Sequence, residues 1–314
     1  MRLSKKIKNM KFSYTPTVSL QGGLGNQLFQ WSFAHLLSHK NGFFFDIHFD
    51  KSKVGSRNLE LAEILKNCTH IHRNQNGNYA TSKLVTFFHF LDRLWEFKYF
   101  RFIPHMFGYL REDPRFDQQQ SLRNPKVLRY AKGYFQKKEN VESVFQAIQG
   151  EIIPILDEIL VSVKKKFDLD YKYSVLHVRR GDYATADFTS VNIGILGDQY
   201  FIDWCTKFEA KNLVLLTENI EDVSKLIDAL NPRLILDKSL TSAWEILAII
   251  YGASNFLGSN SSLSWWGARL CSTRGGQVWL PSQWSYWGNI NPEDYHFSTC
   301  NIAEAFWLQT NLKA

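Results

Sequence analysis

Paired cysteines are missing from this chain. Its four thiols, Cys68, Cys205, Cys271 and Cys300, stand far apart and none belongs to a CxxC. No His/Cys cluster has zinc spacing, so the sequence reads neither as a disulfide scaffold nor as a zinc site. That spread suits a reducing compartment, where thiols pack as small apolar groups. Long apolar runs are missing too. The most apolar segment, "KLVTFFHFLDRLWEFKYFRFIPHMFGYL" at 83–110, is broken by Asp92, Arg93, Glu96, Lys98 and Arg101. Its uninterrupted stretch falls far short of the ~20 residues a membrane span needs. The N-terminus "MRLSKKIKNMKFSYTP" is basic but carries no apolar core, so no signal peptide is expected and the location expected is cytoplasmic. The basic leader and the aromatic-basic stretch leave peripheral contact with an anionic inner leaflet open. An aromatic helix packed inside its own domain is the simpler reading. Repeats, low-complexity tracts and the patterns of RRM, KH and helix-turn-helix modules are absent as well.

What is present is a globular composition. The 314 residues are 45% hydrophobic and 15% aromatic, with 21% charged, enough for a large core and, by length, roughly two domains. The formal charge of +7 suits nucleic acid, an anionic membrane face or a phosphate-bearing substrate, without choosing among them.

Residues 16–48 read as strand, Gly-rich turn, helix and strand, whereas 50–125 are irregular and aromatic. "LRYAKGYFQ" at 128–136 reads as a strand, "NVESVFQAIQGEII" as a helix, and "PILDEILVSVKKKF" continues helically after Pro154. From residue 173 short apolar strands alternate with helices, ending at "GQVWLP". Such alternation means βαβ units and a parallel sheet covered on both faces. The spacing predicts an α/β protein of two domains, 1–160 and 161–314, with ligands held in the turns after the strands.

Three such turns carry chemistry. In "HVRRGDY" the strand alternates its faces, so His177 and Arg179 share one side and Arg180 the other. One arginine can reach a ligand crevice while the other supports it. The alternative is an internal ion pair, Arg180 with Asp182 or another carboxylate. Gly181 permits a tight turn. In "FLGSNSSLSWWGARL" the residues Ser259, Asn260, Ser261 and Ser262 precede a helix starting near Leu263. They are N-cap types, and a helix N-terminus suits phosphate. Four are more than capping needs. Trp265 and Trp266 read as core. In "QGGLGNQLFQ" the glycines, Gly23 among them, allow close backbone approach, and Asn26 and Gln27 bring amides to the same edge. It is neither a Walker loop nor GxGxxG. Together the three turns argue for a ligand bearing phosphate and hydroxyl groups.

Taken in order, "GGLGNQLFQ", "HVRRGDY" and "SNSSLSWWGARL" resemble the alpha-1,2-fucosyltransferases of glycosyltransferase family eleven, particularly the bacterial members, as does "GILGDQYF" at 194–201. The resemblance implies a GT-B fold, two Rossmann-like domains facing a central cleft, with GDP-fucose held mainly by the C-terminal half. It implies inversion, an alpha-1,2 link to a terminal galactose of a surface glycan such as an O-antigen, and no metal or other cofactor. Arg179 maps to the arginine that grips the diphosphate. His177 and Asp182 map near the nucleotide, and Ser259 to Ser262 near the phosphates. Where the family carries acidic residues, often an Asp pair, this chain reads Glu218-Asn219, and Glu218 takes the nucleotide contact.

The expected chemistry follows from charge. Without a metal, departing GDP needs fixed positive partners, here Arg179 and the helix start after Ser262. Asp182 and Asp187 are the carboxylate candidates for the base, and the sequence does not choose between them. The rivals are a fucosyltransferase of other linkage, a sugar-nucleotide-binding protein without catalysis, and a nucleic-acid-binding protein. Scattered basic residues argue against the last.

Overall fold

A computed structural model describes residues 17–41, 45–49, 58–67, 87, 90–94, 108–112, 130–169, 172–181, 194–286 and 290–308. The candidate bases Asp182 and Asp187, the basic leader and most of the 83–110 stretch lie outside them.

The fold is α/β, with two wholly parallel sheets, as the βαβ rhythm predicts. The first is built from β1 (Thr17–Leu20), β2 (Asp46–Phe49), β3 (Tyr109–Arg111) and β4 (Tyr130–Lys132), in the order β2-β1-β4-β3. Helix α1 (Leu24–Asn41) follows β1, and α2 (Ala62–Asn67) follows β2. After β4 come α3 (Lys138–Glu142) and the long α4 (Phe145–Phe167).

The helix α4 buries Phe145, Ile148, Ile152, Leu156, Leu160 and Val163, one stripe at three- and four-residue spacing. Pro154 sits inside this single helix, which continues past it as the sequence pattern does. It lies on the exposed face, as does Gly150, whose carbonyl loses its helical partner where solvent can replace it. Lys164, Lys165 and Lys166 end the helix, complementing its dipole.

The second sheet holds β5 (Ser174–Val178), β6 (Leu213–Thr217), β7 (Leu234–Leu236), β8 (Asn255–Gly258), β9 (Gln277–Pro281) and β10 (Asn301–Ala303). Its order is β10-β9-β8-β5-β6-β7. Counted from β5, that is 3-2-1-4-5-6 read from the other edge, the doubly wound Rossmann order. The sequence reading closed the set at β9; β10 is a further, three-residue edge strand. Helices α5 (Asp198–Phe208), α6 (Ser224–Leu230), α7 (Ala243–Tyr251) and α8 (Ser262–Thr273) connect the strands. A capping box of Ser242 and Glu245 starts α7.

Strand β5 is buried along its whole length. Val175 belongs to the apolar cluster that takes in α7, α8, α4 and α1. Leu176 and Val178 belong to the cluster on the opposite face, with Tyr200, Phe201 and Trp204 of α5. The first cluster is continuous between the two sheets: Phe29 of α1 lies 4.8 Å from Trp265 and 5.5 Å from Trp266 of α8. Both tryptophans are core, as expected. No helix among the described residues is long and apolar enough to cross a membrane.

Candidate active site

In a doubly wound sheet the order reverses beside the first strand, here between β5 and β8. The connections diverge there and leave a crevice beyond the carboxyl ends. His177 pairs in register with Gly258, so the two arginines and the serine-rich turn emerge side by side at that crevice.

The turns are bonded to each other. The Arg179 amide donates to Ser259 Oγ at 2.9 Å, and Ser259 Oγ donates to the His177 carbonyl. The Ser259 amide donates to Ser264 Oγ at 3.2 Å, which lies 2.7 Å from His177 Nδ1. His177 is buried. Burial, with the Arg179 charge beside it, pushes its imidazole down to about 3, so it is neutral at ordinary pH. It organises the turn and carries no charge toward a ligand.

The arginines diverge as strand alternation requires. Arg180 is only 8% exposed. It reaches the α5 side, pairs with Asp198 and donates to the Asp222 carbonyl at 2.8 Å. The internal ion pair weighed for Arg180 is therefore present, with Asp198 as its carboxylate. Arg179 points to the end of β6, where Nη1 pairs with Glu218 Oε1. A Cβ at Gly181 would meet Glu218 Oε2, so with glycine here the carboxylate lies directly over the chain. Glu218 thus meets Arg179 directly and holds the guanidinium at the switch point.

The N-cap of α8 is Ser261, and its side chain makes no cap bond. Ser259 and Asn260 are buried, and Asn260 Nδ2 donates to the Gly194 and Trp284 carbonyls, both at 3.3 Å. These two side chains stitch the crevice wall, which leaves the backbone amides at the helix start as its anion-directed groups.

The glycine turn of the first sheet closes on the same place. A Cβ at Gly25 would sit 2.7 Å from Ser262 Oγ and closer still to the Leu263 nitrogen. The start of α1 therefore abuts the start of α8. Gln27 is 0% exposed. Its amide donates to the Gly22 and Asn58 carbonyls and accepts from the Glu60 and Leu61 amides. It holds the turn in shape. Asn26 accepts from Gln136 Nε2 at 2.6 Å, and Gly23 accepts the Gln27 amide at 3.0 Å as α1 begins. Among the described residues no three His, Cys, Asp or Glu side chains gather where a metal ion could be held.

The profile of glycosyl transferase family 11 matches residues 3–285, nearly the whole chain. The chain belongs to glycosyl transferase family 11, the fucosyltransferase family. No curated protein sequence matches it. Among solved structures this transferase is similar to E. coli ADP-heptose lps heptosyltransferase II (TM-score 0.47, 9% identity, 92% of this chain and 89% of that one). It is also similar to a mutant of Arabidopsis thaliana FUT1 in complex with GDP (TM-score 0.48, 10% identity, 85% and 72% of the chains). POFUT1 in complex with GDP-fucose is a further likeness (TM-score 0.39, 11% identity, 82% and 94% of the chains).

Of the residues singled out in the transferase's sequence, the structure gathers His177, Arg179, Arg180, Glu218, Ser259, Asn260, Ser261 and Ser262 around one sheet edge. Gly23, Asn26 and Gln27 belong to the turn that meets it. Three contributors were not foreseen. Asp198 lay inside the quoted "GDQYF", its acidic charge in a first helical turn being the only sign. Ser264 lies two residues beyond Ser262, in what reads as helix interior. Glu60, whose carboxylate caps the Leu24 amide at 2.9 Å, lies in a stretch with no motif.

Proposed function

We propose that this transferase moves L-fucose from GDP-fucose to the 2-hydroxyl of a terminal galactose, with inversion and without a metal ion. Residues 161–314 hold the donor and 1–160 the acceptor. The acceptor oxygen attacks fucose C1. The bond from C1 to the β-phosphate oxygen breaks, its electron pair leaves with GDP, and the acceptor proton passes to a base. Asp182 and Asp187 are the candidates for that base.

The observation that supports this reading is the meeting of three turns: Arg179 bonded to Ser259, and Gly25 against Ser262. A guanidinium and an open helix start then face one crevice. Charge developing on the departing diphosphate meets fixed positive groups that need no reorganisation. Glu218 holds the guanidinium in place at the end of β6. Buried Arg180, tied to Asp198, supports the strand end. The POFUT1 and FUT1 likenesses, described with GDP or GDP-fucose, agree with a guanosine donor.

The test is to mix the purified protein with GDP-fucose, EDTA and a panel of β-galactosides, and to look for an added deoxyhexose by mass spectrometry and for its linkage by NMR. The proposal expects an alpha-1,2-linked product. Binding of GDP with no product on any acceptor would leave a nucleotide-binding protein instead, and a product formed only with added divalent ion would refute metal independence.

A further inference from the structure

The turn after β4 is over-determined. Phe135 has φ 54°, a left-handed conformation that a bulky residue adopts only under constraint. The constraints are visible. Glu112 Oε2 accepts from the Tyr134 amide at 2.6 Å and the Phe135 amide at 2.7 Å. The Phe135 carbonyl accepts from the Lys137 amide at 2.8 Å and from Asn140 Nδ2 at 3.1 Å. The Phe135 ring is fully buried and stacks on Phe33 of α1, centroids 3.9 Å apart and planes 7° apart. On either side, the Gly133 carbonyl accepts from Gln30 Nε2 at 2.9 Å, and Gln136 is bonded to Asn26.

All this anchoring serves backbone and Phe135. The side chain of Tyr134, between them, is 43% exposed, and among the described residues no hydrogen bond or ring stacking holds it. An inward Phe135 forces its neighbour outward. The result is an exposed aromatic side chain on a fixed backbone at the carboxyl end of the first sheet. It stands two residues from Gln136, which touches Asn26, whose neighbour Gly25 touches the start of α8. The platform and the arginine crevice therefore flank the same glycine turn, one from each sheet.

Resting on the proposed transfer, we propose that Tyr134 is a specificity-determining platform on which the acceptor pyranose stacks. A pyranose such as galactose presents a patch of C–H groups on one face, and an aromatic ring offers matching apolar area with few rotatable bonds to order. The constrained turn fixes the backbone from which the ring projects.

The test uses the full chain with Tyr134→Ala, Tyr134→Phe and Tyr134→Trp. Galactoside binding is read directly by saturation-transfer NMR with GDP present, GDP affinity by calorimetry, and acceptor KM and kcat by the transfer assay. Tyr134→Ala is expected to raise acceptor KM roughly tenfold or more, more than it lowers kcat, and to weaken the saturation-transfer signal while GDP affinity stays put. Tyr134→Phe and Tyr134→Trp are expected to keep most acceptor binding. An Ala variant with unchanged acceptor binding, a Phe variant as poor as Ala, or a loss of GDP affinity matching the loss of acceptor would each overturn the platform. If the wild type binds galactosides without transferring sugar, the proposed activity fails, and the NMR comparison still decides the role of Tyr134.

Discussion

Arg179 and Arg180 are adjacent in sequence and do different jobs because a strand turns successive side chains to opposite faces. His177 shows the same logic. It follows Arg179's face inward, toward α8, where burial keeps it neutral. That has a measurable consequence. A buried imidazole whose folded value is about 3, against an ordinary value near 6.5, binds fewer protons folded than unfolded across that interval. Its effect therefore makes stability fall as pH drops from about 6.5 toward 3, with no further change below. His177→Asn, which can still meet Ser264, should flatten that part of the acid limb in denaturant titrations taken at a series of pH values. An unchanged acid limb would mean that His177 is not held neutral.

At the scale of elements, β5 and β8 pair as parallel strands, and a buried hydroxyl ties the turns that follow them. Ser259 Oγ accepts from Arg179 and donates to His177, so its removal takes a partner from the half-buried Arg179 amide and from the buried His177 carbonyl. Ser259→Ala should cost roughly 1–3 kcal/mol of stability by denaturant unfolding, and should weaken GDP binding by loosening Arg179. A stable variant with normal GDP affinity would deny the serine its part in setting the site. The strand and helix sequence of the second sheet was legible because strands buried on both faces read as continuous apolar runs between helices. The edges were not. The segment Asn301–Ala303 is too short and polar to announce an edge strand. Helix α1 starts within "GGLGN" rather than after it, because Glu60, 36 residues away, caps its first amide. Nothing local carries that information. The helical pattern continues past Pro154 in sequence, and the exposed position of that residue shows how the helix runs through it.

At the scale of the molecule, the halves are joined through contacts that no motif announces. Arg269 of α8 makes a two-pronged pair with Glu142 at 2.7 and 3.1 Å and lies 3.6 Å over the Phe145 ring. Trp244 Nε1 donates to the Glu60 carbonyl at 2.7 Å, and Trp265 and Trp266 pack on Phe29. Gly25 lies directly against the start of α8. Gly25→Ala places a carbon against backbone rather than against a movable side-chain end, so α1 must shift from α8. The expected outcome is a lower Tm by calorimetry and a loss of transfer activity of tenfold or more. A variant as stable and active as the parent would show that the two turns need not touch. The placement of the site was legible where it rests on residue type at strand ends, as with Arg179 and the serine turn. The carboxylates that set each arginine were harder to read. Asp198 comes from the far side of the sheet, and the sequence does not reveal that Glu218 leans over Gly181 to meet Arg179.

The central claim is that a forked guanidinium at the switch point, beside a helix start, neutralises the departing nucleotide. It is tested most directly by the transfer rate of Arg179→Lys, measured in EDTA at saturating donor and acceptor. A lysine keeps the charge but not the paired, planar donors, so kcat should fall by about 10²–10³. Near-normal turnover of the lysine variant would contradict the account.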